Sequence, residues 1–125
     1  MTDRPARFAA GDLEELRRTR EVRIVTGPQR HRTIIWVVVD DHDRVLVRSV
    51  RGPRGRWYRE AIADPRVALE LGGHVVSATA QLADDAGRIE AASEGLRRKY
   101  RTSAGSLVAM LRPETLATTI ELRPA

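Results

Sequence analysis

The chain has 125 residues, with 22 Lys and Arg against 17 Asp and Glu, a formal net charge of +5 and no cysteine. This length predicts one domain, small enough for dimerisation to add useful burial. The lack of cysteine excludes a disulfide framework and a thiolate metal site. The basic excess is almost entirely arginine with acidic residues interspersed, which weakens the case for a surface that coats nucleic acid.

Residues 1–10 are charged and lack an apolar stretch, so we expect a flexible N-terminal tail followed by a single domain over 11–125. The longest apolar run, Ile34 to Val39, is far shorter than the roughly 20 residues that cross a bilayer. The sequence therefore predicts a cytoplasmic protein without a membrane segment.

Local patterns predict a mainly β chain with helices. Asp12 as N-cap and Glu15 three residues later predict a short helix through about Thr19. Six strands are predicted at 21–26, 33–39, 45–50, 67–71, 74–82 and 115–122, and two further helices at 56–63 and 84–100. Helices inserted after the third and fifth strands indicate a small barrel.

The run 33–39 (TIIWVVV) is predicted as the strongest strand of the chain. Both of its faces are apolar, so each face must be covered, either by this chain or by a partner subunit. A single small barrel covers only one face of such a strand. We therefore expect a two-fold dimer that buries Trp36 or its neighbours.

The segment 48–59 (RSVRGPRGRWYR) joins a strand to a short helix through arginines and glycines. Guanidinium forks, close backbone approach at glycine and the free N–H groups of a helix N-terminus all favour phosphate. The aromatic pair that follows adds a surface for stacking. We expect Arg48, Arg54 and Arg56 to converge on one pocket, the alternative being a solvated basic turn.

No set of residues predicts catalysis by the protein itself. His31, His42 and His74 lie far apart in the sequence without metal-ligand spacing, so no metal site is predicted. Tyr58 and Tyr100 are the only phenols for acid–base work. Redox chemistry would therefore belong to a bound cofactor, and catalytic residues stay unassigned.

Four segments carry a resemblance to the split-barrel flavin/deazaflavin oxidoreductase superfamily, which includes pyridoxamine-phosphate oxidase and the deazaflavin-dependent nitroreductases. They are 32–38 (RTIIWVV), 47–52 (VRSVRG), 55–59 (GRWYR) and 64–67 (DPRV). More narrowly, the chain resembles a small uncharacterised family of bacterial domains within that superfamily. The resemblance spans about 21–124 and implies a six-stranded split β-barrel of FMN-binding type, dimeric, with two cofactor sites at the interface.

The resemblance also implies which residues bind the cofactor. In deazaflavin-binding relatives the loop after the third strand holds the phosphate, and basic residues precede the second strand. Carried over, these roles fall on Arg30, Arg32, Thr33, Arg48, Ser49, Val50, Gly52, Pro53, Arg54, Arg56 and Trp57. The relatives' T-x-G-R-K-S-G segment is replaced here by 26–32 (TGPQRHR). The 8-hydroxy-5-deazaflavin coenzyme, FMN and the absence of a cofactor therefore all remain open.

The leading hypothesis is a homodimeric, oxidoreductase-like protein that binds a phosphorylated flavin or deazaflavin and acts on a small organic substrate. A non-enzymatic carrier or sensor of a small ligand on the same barrel is the alternative. Nucleic-acid binding through Arg51, Arg54, Arg56 and Arg59 is less favoured, because exposed aromatic residues do not alternate with these arginines.

Overall fold

The structure is a computed structural model that describes residues 7–125. Residues 1–6, part of the predicted N-terminal tail, lie outside the described residues. Phe8 is already buried in the core, and helix α1 spans Ala10–Arg18. Leu13 and Leu16 lie on one face of α1 and are buried with Phe8, because three-residue spacing places them together.

The predicted capping role of Asp12 is wrong. Helix α1 begins two residues before Asp12, and no side chain caps it. Asp12 lies instead in the first turn, where a carboxylate favours the helix dipole, and its Oδ1 is 2.7 Å from Nε2 of His74. The contact links α1 to the Gly72–Gly73 hairpin turn, in which both glycines have positive φ angles.

Seven antiparallel strands form one curled sheet in the order β2-β1-β5-β6-β7-β4-β3. The strands are β1 (Val22–Thr26), β2 (His31–Ile35), β3 (Val38–Val39), β4 (Val45–Val47), β5 (Arg66–Leu71), β6 (His74–Leu82) and β7 (Ile120–Pro124). The two edge strands, β2 and β3, are consecutive in the chain and are joined by Trp36 and Val37, which we call the seam. The sheet must curl to bring these edges together, which confirms the split-barrel fold.

The prediction of one continuous strand over 33–39 is wrong. The ladder pairs Ile35 of β2 with β1, whereas Val38 of β3 pairs with β4 at the opposite edge of the sheet. One straight strand cannot pair with both edges of a curled sheet, so the backbone leaves the ladder at the seam. This division explains why seven strands are present where six were predicted.

Four α-helices follow α1: α2 (Arg56–Ala63), α3 (Ala86–Lys99), α4 (Ala104–Met110) and α5 (Pro113–Leu116). The two longer helices, α2 and α3, confirm the predictions at 56–63 and 84–100. The prediction of a strand over 115–122 is wrong for the first half of that range, because β7 begins only at Ile120. The Thr118 hydroxyl donates to the carbonyl of Thr115, and the Thr119 hydroxyl donates to the carbonyl of Leu116. These hydrogen bonds stabilise a turn in place of the strand.

The main core fills the curled sheet and includes fully buried residues such as Ile24, Leu69 and Leu122. A second cluster lies beside the seam and consists of Val38, Leu96, Tyr100 and Met110, with Trp36 and Leu107 packed against it. Within residues 7–125, no helix has both the length and the apolar character needed to cross a membrane.

Candidate functional site

A cleft of about 600 Å³ opens beside the seam, between the end of β2, the loop after β4, the start of α2 and helix α4. Strand β2 and the seam form one wall, and the segment 48–51 forms the facing part. The lining residues are Glu21, Thr33, Ile34, Ile35, Trp36, Arg48, Ser49, Val50, Arg51, Gly55, Arg56, Trp57, Ser106 and Met110.

Arg48 is buried at the wall of this cleft, with 2% of its surface exposed. Its Nε donates to Oγ1 of Thr119 at 2.8 Å, Nη1 to the carbonyl of Met110 at 3.2 Å and Nη2 to the carbonyl of Ile89 at 2.6 Å. All three acceptors are neutral. Among residues 7–125, no carboxylate forms an ion pair with Arg48.

Burial, followed by the charge of Arg97, lowers the pKa of Arg48 to about 10 against the opposing effect of Glu90, so the side chain still carries its charge at neutral pH. A buried cation that no carboxylate contacts is costly in a protein interior. The cleft wall therefore holds a positive charge whose hydrogen-bond acceptors within residues 7–125 are all neutral.

The loop that follows Arg48 is tightly built. The Ser49 backbone N–H donates to Oγ1 of Thr118, and the Ser49 hydroxyl donates to the carbonyl of Gly52. Gly52 has a φ of +66°, and a side chain at Gly55 would overlap the Ser49 hydroxyl. Glycine is favoured at both positions, at Gly52 for its backbone conformation and at Gly55 for the close approach.

This loop directs neighbouring arginines to different places. Arg51 and Arg56 line the cleft, whereas Pro53 and Arg54 lie in a 3-10 turn that exposes both side chains away from it. Arg51, Arg54 and Arg56 are exposed and make no ion pair within residues 7–125. Their charges are therefore available at the start of α2, where backbone N–H groups also favour an anion.

The apolar side of the cleft is formed by Ile34, Trp36, Val50 and Met110. Ile34 and Val50 are 56% and 50% exposed, so this side of the cleft presents aliphatic surface to solvent. Trp57 also borders the cleft, but it is buried in the main core and meets Tyr58 edge-on. The cleft thus combines a basic end with an apolar, aromatic side.

Six of the predicted site residues meet in the cleft: Thr33, Arg48, Ser49, Val50, Arg56 and Trp57. The other five do not line it: Arg30, Arg32, Gly52, Pro53 and Arg54. Arg32 is on the outer face of the sheet, where its Nε lies 3.0 Å from Oε2 of Glu70. Arg30 is exposed in the turn before β2 with a φ of +56°.

Sequence reasoning did not single out Trp36, Arg51 or Met110 as members of the site. The sequence predicts Trp36 within the strand 33–39, because the bend at the seam leaves no local signal. Arg51 was within reach, since it lies in the same arginine and glycine segment as Arg48 and Arg56. Met110 is brought to the cleft by α4, a long-range contact that spacing does not encode.

A polar cluster is centred on His31, which lies two residues before Thr33 and on the same face of β2. Oε2 of Glu60 is 2.7 Å from Nδ1 of His31, and its Oε1 accepts a hydrogen bond from Oγ1 of Thr26 at 2.9 Å. Burial alone would raise the pKa of Glu60, but the hydrogen bonds from His31 and Thr26 together hold it below its ordinary value. The cluster ties α2 to the β1–β2 turn.

In the range 7–125, no group of three acidic or histidine side chains is placed to hold a metal ion.

The curled sheet with a cleft beside its seam defines a split β-barrel protein. The chain belongs to the family DUF2255, described as an uncharacterised protein conserved in bacteria, which matches residues 12–122. No curated protein matches the sequence.

Three solved structures illustrate the likeness of fold. A putative pyridoxamine 5′-phosphate oxidase from Listeria innocua is 14% identical with a TM-score of 0.61, covering 92% of this chain and 90% of its own. An F420-H2 dependent reductase is 15% identical with a TM-score of 0.56, covering 83% and 93%. HutZ, the heme storage protein from Vibrio cholerae, is 12% identical with a TM-score of 0.63, covering 95% and 91%.

Proposed function

We propose that this protein binds a phosphorylated flavin-type cofactor in the cleft beside the seam and acts as an oxidoreductase on a small organic substrate. FMN and the 8-hydroxy-5-deazaflavin coenzyme are the two candidates. The observation that carries the proposal is the buried Arg48, whose charge faces only neutral acceptors at the cleft wall. An anion bound in the cleft would supply a counter-charge, which no carboxylate among the described residues provides by direct contact.

The fit of such a ligand follows from the lining residues. Arg51 and Arg56 are free to form charge-assisted hydrogen bonds with a phosphate, and the first N–H groups of α2 add to them. Arg48 has three of its N–H groups committed to the fold, so it acts mainly through its field. The apolar side, with Ile34, Trp36 and Val50, suits a flat ring.

The remaining predicted residues would support the proposed site. Ser49, Gly52 and Pro53 would fix the loop that presents the phosphate donors, and Thr33 would contact the ligand from β2. Arg30, Arg32 and Arg54 would reach the ligand only through its extended parts or from a partner subunit. When bound, the cofactor would supply the hydride chemistry, and the protein would bind it, orient it and limit water.

We further propose that the protein is a homodimer. Ile34, Arg23, Glu70 and Val75 form a row across the outer face of β2, β1, β5 and β6, because each pairs with the next in register. Ile34 and Val75 at its ends are 56% and 60% exposed. An interface on this face would cover both and border the cleft, since Ile34 belongs to both surfaces.

A specific observation favours the alternative of a ligand carrier. Among the described lining residues, Glu21 is the only carboxylate, and no histidine, lysine or tyrosine is present to transfer a proton. Carriage of a small ligand needs no such group. A turnover assay distinguishes the oxidoreductase from the carrier. A carrier would hold a reduced cofactor without passing electrons to added quinones or nitroaromatic compounds.

The test is a thermal melt of the purified protein with FMN, with the deazaflavin coenzyme and with riboflavin. A ligand that binds the folded state raises the melting temperature by mass action. We expect at least one phosphorylated cofactor to raise it, and riboflavin to raise it less. If neither phosphorylated cofactor shifts the melt, the proposed function is wrong.

A further inference from the structure

Trp36 lies flat against Tyr100 beside the cleft. The two ring centroids are 3.9 Å apart and the ring planes differ by 4°. Tyr100 is fully buried, whereas Trp36 is half-buried and lines the cleft. The indole is therefore covered on one face by a core residue and borders an open cavity elsewhere.

The fold holds this pair in place through the hydroxyl of Tyr100. That hydroxyl accepts a hydrogen bond from the Val37 N–H at 3.1 Å and donates to the carbonyl of Arg20 at 2.6 Å. The Val37 N–H needs such a partner because it lies at the seam, outside the strand ladder. The position of the indole is thus fixed before any ligand arrives, which lowers the entropic cost of binding.

The second tryptophan at the cleft is less suited to contact a ring. Trp57 is 6% exposed and packs within the main core, with Tyr58 edge-on at a centroid distance of 6.5 Å. Trp36 belongs to the exposed apolar side, together with Ile34 and Val50. Of the two indoles that line the cleft, Trp36 is the more exposed, and it is the one stacked on a buried ring.

We propose that Trp36, backed by Tyr100, is the surface on which the planar ring of the ligand stacks, and that it sets the preference of the cleft for an aromatic ring. This inference rests on the proposed function and assigns a residue that the sequence did not. Recognition is then divided: Arg51 and Arg56 bind the phosphate, and the indole binds the ring. Ring affinity and phosphate affinity should therefore change independently.

The experiment measures dissociation constants for FMN and riboflavin in wild type, Trp36→Leu and Trp36→Phe. Loss of a stacking surface costs a base-sized ring roughly fivefold to a hundredfold in affinity. We expect Trp36→Leu to weaken both ligands by the same factor in this range, with Trp36→Phe intermediate. The ratio of FMN to riboflavin affinity should stay at its wild-type value.

One matched control separates ring contact from loosened packing. Leu107→Ala thins the same core cluster at a position that does not line the cleft. It should keep affinity within about twofold of wild type. The inference is overturned if either folded Trp36 variant binds as tightly as wild type, or if Leu107→Ala weakens binding equally. Wild type that binds neither FMN nor the deazaflavin coenzyme overturns the proposed function itself and, with it, this inference.

Discussion

Nζ of Lys99 lies 2.7 Å from the carbonyl oxygen of Val37 and donates a hydrogen bond to it. The same nitrogen donates to the carbonyl of Leu16 at 2.8 Å, near the end of α1. The only lysine of the chain thus joins α3 to the seam and to α1. Burial, followed by the nearby charge of Arg20, lowers the pKa of Lys99 to about 8.

We expect the contribution of Lys99 to the free energy of unfolding to rise as the pH increases from about 8 toward its ordinary pKa of 10.5. Between these values the unfolded chain binds more protons than the folded chain, so stability increases with pH. Urea unfolding at several pH values measures the difference in the free energy of unfolding between wild type and Lys99→Met. The difference should move in favour of wild type across this window, and a constant or opposite difference would contradict the prediction.

Gly95→Ala should destabilise the protein by about 1–3 kcal/mol, the usual cost of overpacking. A Cβ at Gly95 would overlap a methyl group of Val38, where α3 crosses β3. The gain in helix propensity, about 1 kcal/mol, does not offset this. Gly87→Ala in the same helix is the control, because its Cβ would meet only Asp85 Oδ2 at 3.4 Å. Denaturant unfolding in which Gly95→Ala is as stable as Gly87→Ala would show that the helix does not approach so closely.

Tyr100→Phe should cost about 1–3 kcal/mol, because it leaves the Val37 N–H and the Arg20 carbonyl without their partner. Tyr58→Phe is the matched control. The Tyr58 hydroxyl makes no hydrogen bond within residues 7–125, so its loss should change stability by no more than about 0.5 kcal/mol. Equal free energies of unfolding for the two variants would argue against the hydroxyl as the support of the seam.

Light scattering should give a mass of twice the 14.0 kDa chain at micromolar concentration. Ile34→Arg places a charge in the proposed interface and should shift the protein toward monomer. Val108→Arg changes another exposed apolar residue, 66% exposed on α4 and outside the row of Ile34 and Val75. A wild-type monomer would contradict the proposed homodimer, and a dimer that survives Ile34→Arg would place the interface elsewhere.

The elements that local patterns define were predictable from the sequence, whereas those defined by closure of the sheet were not. Helix α2 and the Gly72–Gly73 hairpin follow from spacing and turn residues. The break at Trp36 has no local signal, since 33–39 reads as one strand until two sheet edges compete for it. The commitment of Arg48 to Thr119 and Met110 depends on contacts more than 60 residues away in the chain. The arginine and glycine segment 48–59 draws attention to Arg48, but it cannot say that the guanidinium is buried.

The proposed function requires the cleft to recognise a phosphorylated ring through arginines at the start of α2. The most direct measurement is the ratio of FMN to riboflavin affinity in wild type, Arg56→Ala and Arg59→Ala. Both arginines are exposed on α2, but only Arg56 lines the cleft. We expect wild type to prefer FMN, Arg56→Ala to lose roughly tenfold of that preference, and Arg59→Ala to retain it. Where the deazaflavin coenzyme binds better, it replaces FMN, with its phosphate-free fragment in place of riboflavin. Equal preference in wild type and Arg56→Ala, or no preference for phosphate in wild type, would contradict the claim.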